Sequence, residues 1–92
     1  MIRSFADEET EQVFNRRHSR RYAAFERVAL RKLRQIHSVT WVEELYEPPG
    51  NRLEKLKGDR EGLWSLRIND LWRVCFEWRD GDAYEVQIVD YH

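Results

Sequence analysis

The stretch Trp64-Ser65-Leu66-Arg67-Ile68-Asn69-Asp70-Leu71-Trp72-Arg73-Val74-Cys75-Phe76 decides the fold. Trp64, Leu66 and Ile68 share one parity, with Ser65 and Arg67 on the other. After Asn69-Asp70, the apolar residues Trp72, Val74, Phe76 and Trp78 take one parity and Arg73, Cys75 and Glu77 the other. Alternation with period two is the signature of a strand with one buried face. Asn and Asp tolerate the left-handed backbone region, so Asn69-Asp70 predicts a tight turn between two antiparallel strands. The pattern therefore sets guanidinium groups on one face of a sheet whose other face is hydrophobic.

Working outward, Asp80-Gly81 predicts a second hairpin. The following strand is read with Tyr84, Val86 and Ile88 inward and Glu85, Gln87 and Val89 outward. Leu53 and Leu56 suggest a short strand ahead of this meander, and Pro48-Pro49-Gly50 stops whatever precedes it. Met1 to Phe5 alternates and reads as a short first strand. Asp7 to Asn15 is acidic at its start, as a helix N-terminus prefers. Arg16 to Arg21 reads as a basic loop. Across Arg20 to His37, Tyr22, Phe25, Ala29, Leu33 and Ile36 recur at helical spacing and form one apolar stripe. A last helical piece is expected around Trp41 to Leu45. The sum is an α+β fold: one antiparallel sheet with N-terminal helices packed on one face, in two layers, as a single domain over residues 1–92.

Composition bounds the function. Ninety-two residues make one small domain, and four Trp, four Tyr and four Phe supply its core. Sixteen Lys and Arg nearly balance seventeen Asp and Glu, leaving a formal charge of −1. Total charge thus does not announce a nucleic-acid partner, and any such partner must be argued from where the cations lie. The single Cys75 excludes an intramolecular disulfide and offers no metal-thiolate spacing. His18, His37 and His92 lack ligand spacing, and the four glycines are scattered rather than gathered in a phosphate loop. No signal peptide and no membrane span are expected, which makes a soluble cytoplasmic protein the default.

The helices can cover one sheet face only, so Arg67, Arg73 and Gln87 on the other face mark the candidate site. Lys57 and Arg60 precede it in sequence, and Asp90, Tyr91 and His92 follow it. Cations with a His and a carboxylate match the needs of RNA phosphodiester cleavage. The 2′-hydroxyl must lose a proton, the 5′-oxygen must gain one, and the charge on phosphorus must be held. The plain reading stays open beside this: Arg67 and Arg73 solvating a sheet face, Lys57 as a surface lysine, His92 as a surface residue. Strand parity raises a further difficulty. Continued strictly, it puts Tyr91 with Arg73 but sends Asp90 and His92 to the core face, unless the strand twists or ends near Val89. Arg20, Arg27, Arg31 and Arg34 form a basic stripe on the helix, either a solvated face or an edge that meets phosphate or a partner.

Four blocks carry a resemblance: Pro48 to Leu53, Leu56 to Gly62, Trp64 to Phe76, and Val89-Asp90-Tyr91-His92. In this order they resemble the HigB family of bacterial toxins, within the RelE/ParE superfamily of type II toxin–antitoxin systems. The resemblance implies the RelE/ParE-like microbial RNase fold. It implies a metal-independent, ribosome-dependent endonuclease that cuts mRNA in the A site of the 70S ribosome, with no cofactor. By the same resemblance Lys57, Arg73, Asp90, Tyr91 and His92 form the catalytic set. A helix-turn-helix antitoxin of the HigA type is implied as partner, with DNA contacted only through their complex. Ribosome contact is expected from Arg16, Arg17, Arg20, Arg27, Arg31, Arg34, Arg60 and Arg67. The stretch from Arg16 to Arg34 holds eight cations and the single acid Glu26, so a basic patch coexists with a near-neutral total. The competing reading is a non-catalytic toxin that binds DNA gyrase, as the ParE branch does.

Overall fold

Asp80 and Gly81 both have positive φ, 51° and 83°, and so turn the chain in a two-residue hairpin that matches strand twist. In the computed structural model, which describes residues 1–90 (for Arg60 the backbone alone), this hairpin joins the last two strands of a four-stranded antiparallel sheet. Its strands are β1 (Glu54–Lys55), β2 (Leu63–Arg67), β3 (Trp72–Arg79) and β4 (Asp82–Asp90), in spatial order β1-β2-β3-β4. The expected strand near Leu53 and Leu56 is β1, and both leucines are buried.

The parity of β2 and β3 is as expected. Leu66, Val74 and Phe76 are fully buried on one face, and Arg67 stands opposite Arg73 on the other. The connection between them is longer than a tight turn. The amides of Ile68 and Asn69 both donate to the Trp72 carbonyl, and the Asn69 side chain accepts from the amides of Leu71 and Trp72. Asn69 thus acts through its side chain, closing a loop rather than serving as a left-handed corner.

β4 departs from the expected parity at one residue. Glu77 pairs with Tyr84 while Cys75 pairs with Gln87, so three residues of β4 span what two of β3 cover. The extra residue is Glu85, with φ 52°. A bulge shifts the side-chain alternation by one. Ala83, not Tyr84, is therefore buried on the core face, and Tyr84 lies on the other side under the Arg79 guanidinium, 4.1 Å from its ring centroid. Val86 and Ile88 point inward as expected.

Residues 1–5 run parallel to β4, bridging Ile2 to Ala83 and Phe5 to Val86. The Glu85 amide is met by the Ser4 hydroxyl, and the Ile88 amide by the buried Thr10 hydroxyl. The backbone donors along this edge of β4 are in this way satisfied by the first ten residues.

Asp7 caps α1 (Glu8–Phe14) by accepting from the Thr10 amide at 2.7 Å, with Glu8, Glu9 and Glu11 in the first turn. The long helix begins later than its apolar spacing suggests. α2 is Glu26–Ser38, preceded by a 3₁₀ turn at Ala23–Phe25. Tyr22 and Phe25 still pack inward, flanking Trp72 at 5.5 and 5.3 Å between ring centroids. Their apolar character serves an aromatic cluster rather than an extra helical turn. Ala29, Leu33 and Ile36 are fully buried against the sheet. The piece around Trp41 to Leu45 is a 3₁₀ helix, Val42–Tyr46, followed by another at Pro49–Asn51.

Candidate active site

Arg67 and Arg73 form a cross-strand pair on the sheet face turned away from the helices. Like charges placed directly opposite repel, so each needs its own counter-group. Arg67 has Asp70, an ion pair three residues ahead on the connecting loop. Arg73 is held differently. Its Nε donates to the hydroxyl of buried Ser65 at 2.8 Å, and its Nη2 donates to the Arg52 carbonyl at 2.5 Å. Arg73 is only 8% exposed, which corrects the expectation of an arginine displayed openly on the sheet. The guanidinium is sunk among acceptors that fix its plane, because a planar fork with several donors is oriented by two bonds.

These residues surround a hollow of about 340 Å³ lined by Arg52, Glu54, Arg67, Asn69, Asp70 and Arg73. Glu54 belongs to this face because it pairs with Ser65. Three guanidiniums against two carboxylates leave the lining cationic, as an anionic ligand requires.

The structure brings Arg67 and Arg73 together on the lining of this hollow. Lys57 is exposed, at the start of the Gly58–Arg60 turn, and does not line the hollow. Asp90 is exposed and pairs with Trp72, whereas Arg73 pairs with Val89. β4 runs to Asp90, one residue past Val89, and register sets Asp90 and Arg73 at adjacent positions on opposite faces of the sheet. Tyr91 and His92 lie outside the described residues, as does the side chain of Arg60. Arg16, Arg17 and Arg20 are exposed on the loop before α2, and Arg27, Arg31 and Arg34 are exposed along it. None of the six lines the hollow.

Sequence reasoning missed the supports of Arg73. Ser65 is polar at an outward strand position beside Arg73, a legible signal. The Arg52 carbonyl is a backbone atom and leaves no trace in residue type.

The fold and the hollow define a small α+β domain with a cationic, helix-free sheet face suited to an anionic ligand. A family model described as the RelE-like toxin of the type II toxin–antitoxin system HigB matches residues 3–92. The chain belongs to this family. It is 35% identical over 85 residues to Toxin HigB-1 of Vibrio cholerae, covering 90% of each chain. It is 41% identical over 61 residues to Endoribonuclease HigB of Proteus vulgaris, a match spanning 66% of this chain and 65% of that relative. Two solved structures share the fold. The YoeB–YefM complex from Staphylococcus aureus superposes with TM-score 0.62 at 16% identity, covering 100% of this chain and 98% of that one. A mutant YafQ from E. coli gives TM-score 0.55 at 12% identity, covering 98% and 93%. As a member of a toxin–antitoxin family, the chain has an antitoxin for partner.

Proposed function

We propose that this toxin is a ribosome-dependent endoribonuclease that cuts mRNA in the ribosomal A site and so arrests translation. The observation that carries the proposal is the anchored Arg73, facing a cationic hollow on the helix-free face of the sheet. The relative from Proteus vulgaris, named an endoribonuclease, supports the same chemistry.

In the proposed reaction the mRNA 2′-hydroxyl attacks the adjacent phosphorus, forming a 2′,3′-cyclic phosphate and releasing the 5′-oxygen as a hydroxyl. One proton leaves the 2′-oxygen and one arrives at the 5′-oxygen, so the step is balanced without a metal. Arg73 holds the non-bridging oxygens as their charge grows. A preorganised donor in this role is worth about 3–4 kcal/mol. Lys57 adds a second cation, and Asp90, Tyr91 and His92 position the nucleotide and move protons, each such transfer contributing roughly 10²–10⁴ in rate. Arg16, Arg17, Arg20, Arg27, Arg31, Arg34, Arg60 and Arg67 provide contacts to ribosomal and messenger RNA. The antitoxin is of the HigA-like helix-turn-helix type and brings the toxin to DNA. The protein acts in the cytoplasm, and among the described residues no helix is long and apolar enough to cross a membrane.

The test is in vitro translation of a defined mRNA with and without ribosomes. Codon-positioned cuts are expected only with ribosomes. Their absence, with gyrase inhibited instead, would replace this reading by that of a gyrase-binding toxin.

A further inference from the structure

Lys32 occupies a core position. It lies on α2 between Ala29, Leu33 and Ile36 and is 7% exposed. A buried ammonium is costly unless it is hydrogen-bonded. Burial, with Arg31 and Arg67 nearby, pulls its pKa below the usual 10.5. Its ammonium donates to Oδ1 of Asn51, itself fully buried.

Lysine has only donors to offer, so this contact fixes which side of the Asn51 amide is oxygen. The opposite side, Nδ2, then donates to Gln35 Oε1 at 2.9 Å, the Leu45 carbonyl at 3.2 Å and the Glu47 carbonyl at 3.0 Å. The Asn51 amide also donates to the Pro48 carbonyl at 2.9 Å. Five bonds thus pin one residue between α2 and the 45–49 segment.

The next residue is Arg52, in the left-handed conformation at φ 44°, ψ 53°. For a non-glycine residue this conformation is unfavourable and persists only where the surroundings impose it. Its amide is held by the Pro49 carbonyl at 3.1 Å, and its own carbonyl receives Arg73 Nη2. The turn at Arg52 therefore aims a carbonyl at Arg73 from a loop anchored one residue earlier.

We infer that Asn51 and Lys32 are positioning residues, which set the Arg73 guanidinium from the helix layer through the carbonyl of Arg52. The link to catalysis rests on the proposed phosphate-holding role of Arg73; the mechanical link does not. A pinned Arg52 carbonyl leaves the guanidinium one orientation, with Nε on Ser65. Release of Asn51 lets the 48–53 segment relax out of the left-handed turn, and Arg73 loses its bond to the Arg52 carbonyl.

The test is hydrogen exchange at the Arg73 Nε–H, followed by NMR in the folded protein and requiring no RNA. Exchange in Asn51→Ala is expected to be at least about tenfold faster than in wild type, the change that loss of one charge-assisted bond of ~1.4 kcal/mol produces. Lys32→Met keeps the buried stem and is expected to act in the same direction, so it carries the measurement if Asn51→Ala does not fold. Unchanged exchange in the folded variants overturns the inference. A parallel assay measures single-turnover cleavage of ribosome-bound mRNA. There the maximal cleavage rate should fall roughly tenfold with the half-saturating toxin concentration unchanged; a change in half-saturation alone overturns the positioning role. If wild type does not cleave at all, the proposed function fails while the exchange result still decides the clamp.

Discussion

Arg67 and Arg73 face each other across β2 and β3, Arg67 in an ion pair with Asp70 and Arg73 oriented by the neutral oxygens of Ser65 and Arg52. Neutral acceptors orient the cation without cancelling its charge.

Arg73→Lys keeps the charge but loses the fork that two acceptors orient. Cleavage should fall by about 10²-fold or more, close to the loss in Arg73→Ala, on the scale of one removed charge-stabilising donor. Single-turnover cleavage on programmed ribosomes measures this. Near wild-type activity in the lysine variant would mean that charge alone is required.

Thr10 is fully buried and its hydroxyl accepts the Ile88 amide at 3.0 Å. Thr10→Val keeps the shape and leaves that amide unpaired, so stability should drop by about 1–3 kcal/mol. Thr10→Ser should lose much less. Urea denaturation of the three proteins gives the comparison.

The pH dependence of stability should carry the mark of Tyr22. Burial is the main cause that lifts its pKa above 10.0, opposed by Arg21 and aided by Asp7 and Glu9. Below pH 10.0 the phenol is neutral in both folded and unfolded chains. Above it the unfolded chain ionises first, so stability is lost as pH rises through the folded value. Lys32 acts in the opposite sense, its burial penalty easing as pH climbs toward 10.5. Comparison with Tyr22→Phe cancels the lysine contribution. Denaturation between pH 8 and 11 should show a smaller alkaline loss in the phenylalanine variant.

Reversing Arg27, Arg31 and Arg34 to Glu alters only exposed residues of α2. Ribosome association should weaken, and its dependence on salt should flatten as phosphate contacts disappear. The thermal transition should stay near that of wild type. Unchanged binding at moderate salt would remove the basic stripe from the interface.

Much of this architecture is legible in residue order because period-two alternation survives wherever the backbone is regular. Arg67 and Arg73 could be placed on one face from Leu66, Val74 and Phe76 alone. The reading fails where the backbone departs from regularity at a residue that does not advertise it. Glu85 adopts φ 52° without being Gly, Asn or Asp, and Tyr84 changes face as a result. The α2 boundary shifted because Tyr22 and Phe25 satisfy helical spacing while packing on Trp72 from a 3₁₀ turn. Arg73 is legible as a site residue, but nothing in residue type marks the Arg52 carbonyl that accepts from it. Asp90 sits opposite Trp72 because β4 keeps its register through that position, which parity had signalled.

The edge of β4 has a consequence for how the molecule comes into being. Its backbone groups are closed by Met1, Arg3, Ser4, Ala6 and Thr10, contacts that span nearly the whole sequence. Such pairings can form only after the intervening chain exists, and they make folding slow relative to local structure. During synthesis the earliest residues must wait, unplaced, for the last strand to emerge. The sheet that displays Arg73 is therefore complete only after translation has passed Ile88. A growing chain that has not yet passed Ile88 therefore lacks the closed edge that holds β4 in place beside β3, the strand that carries Arg73.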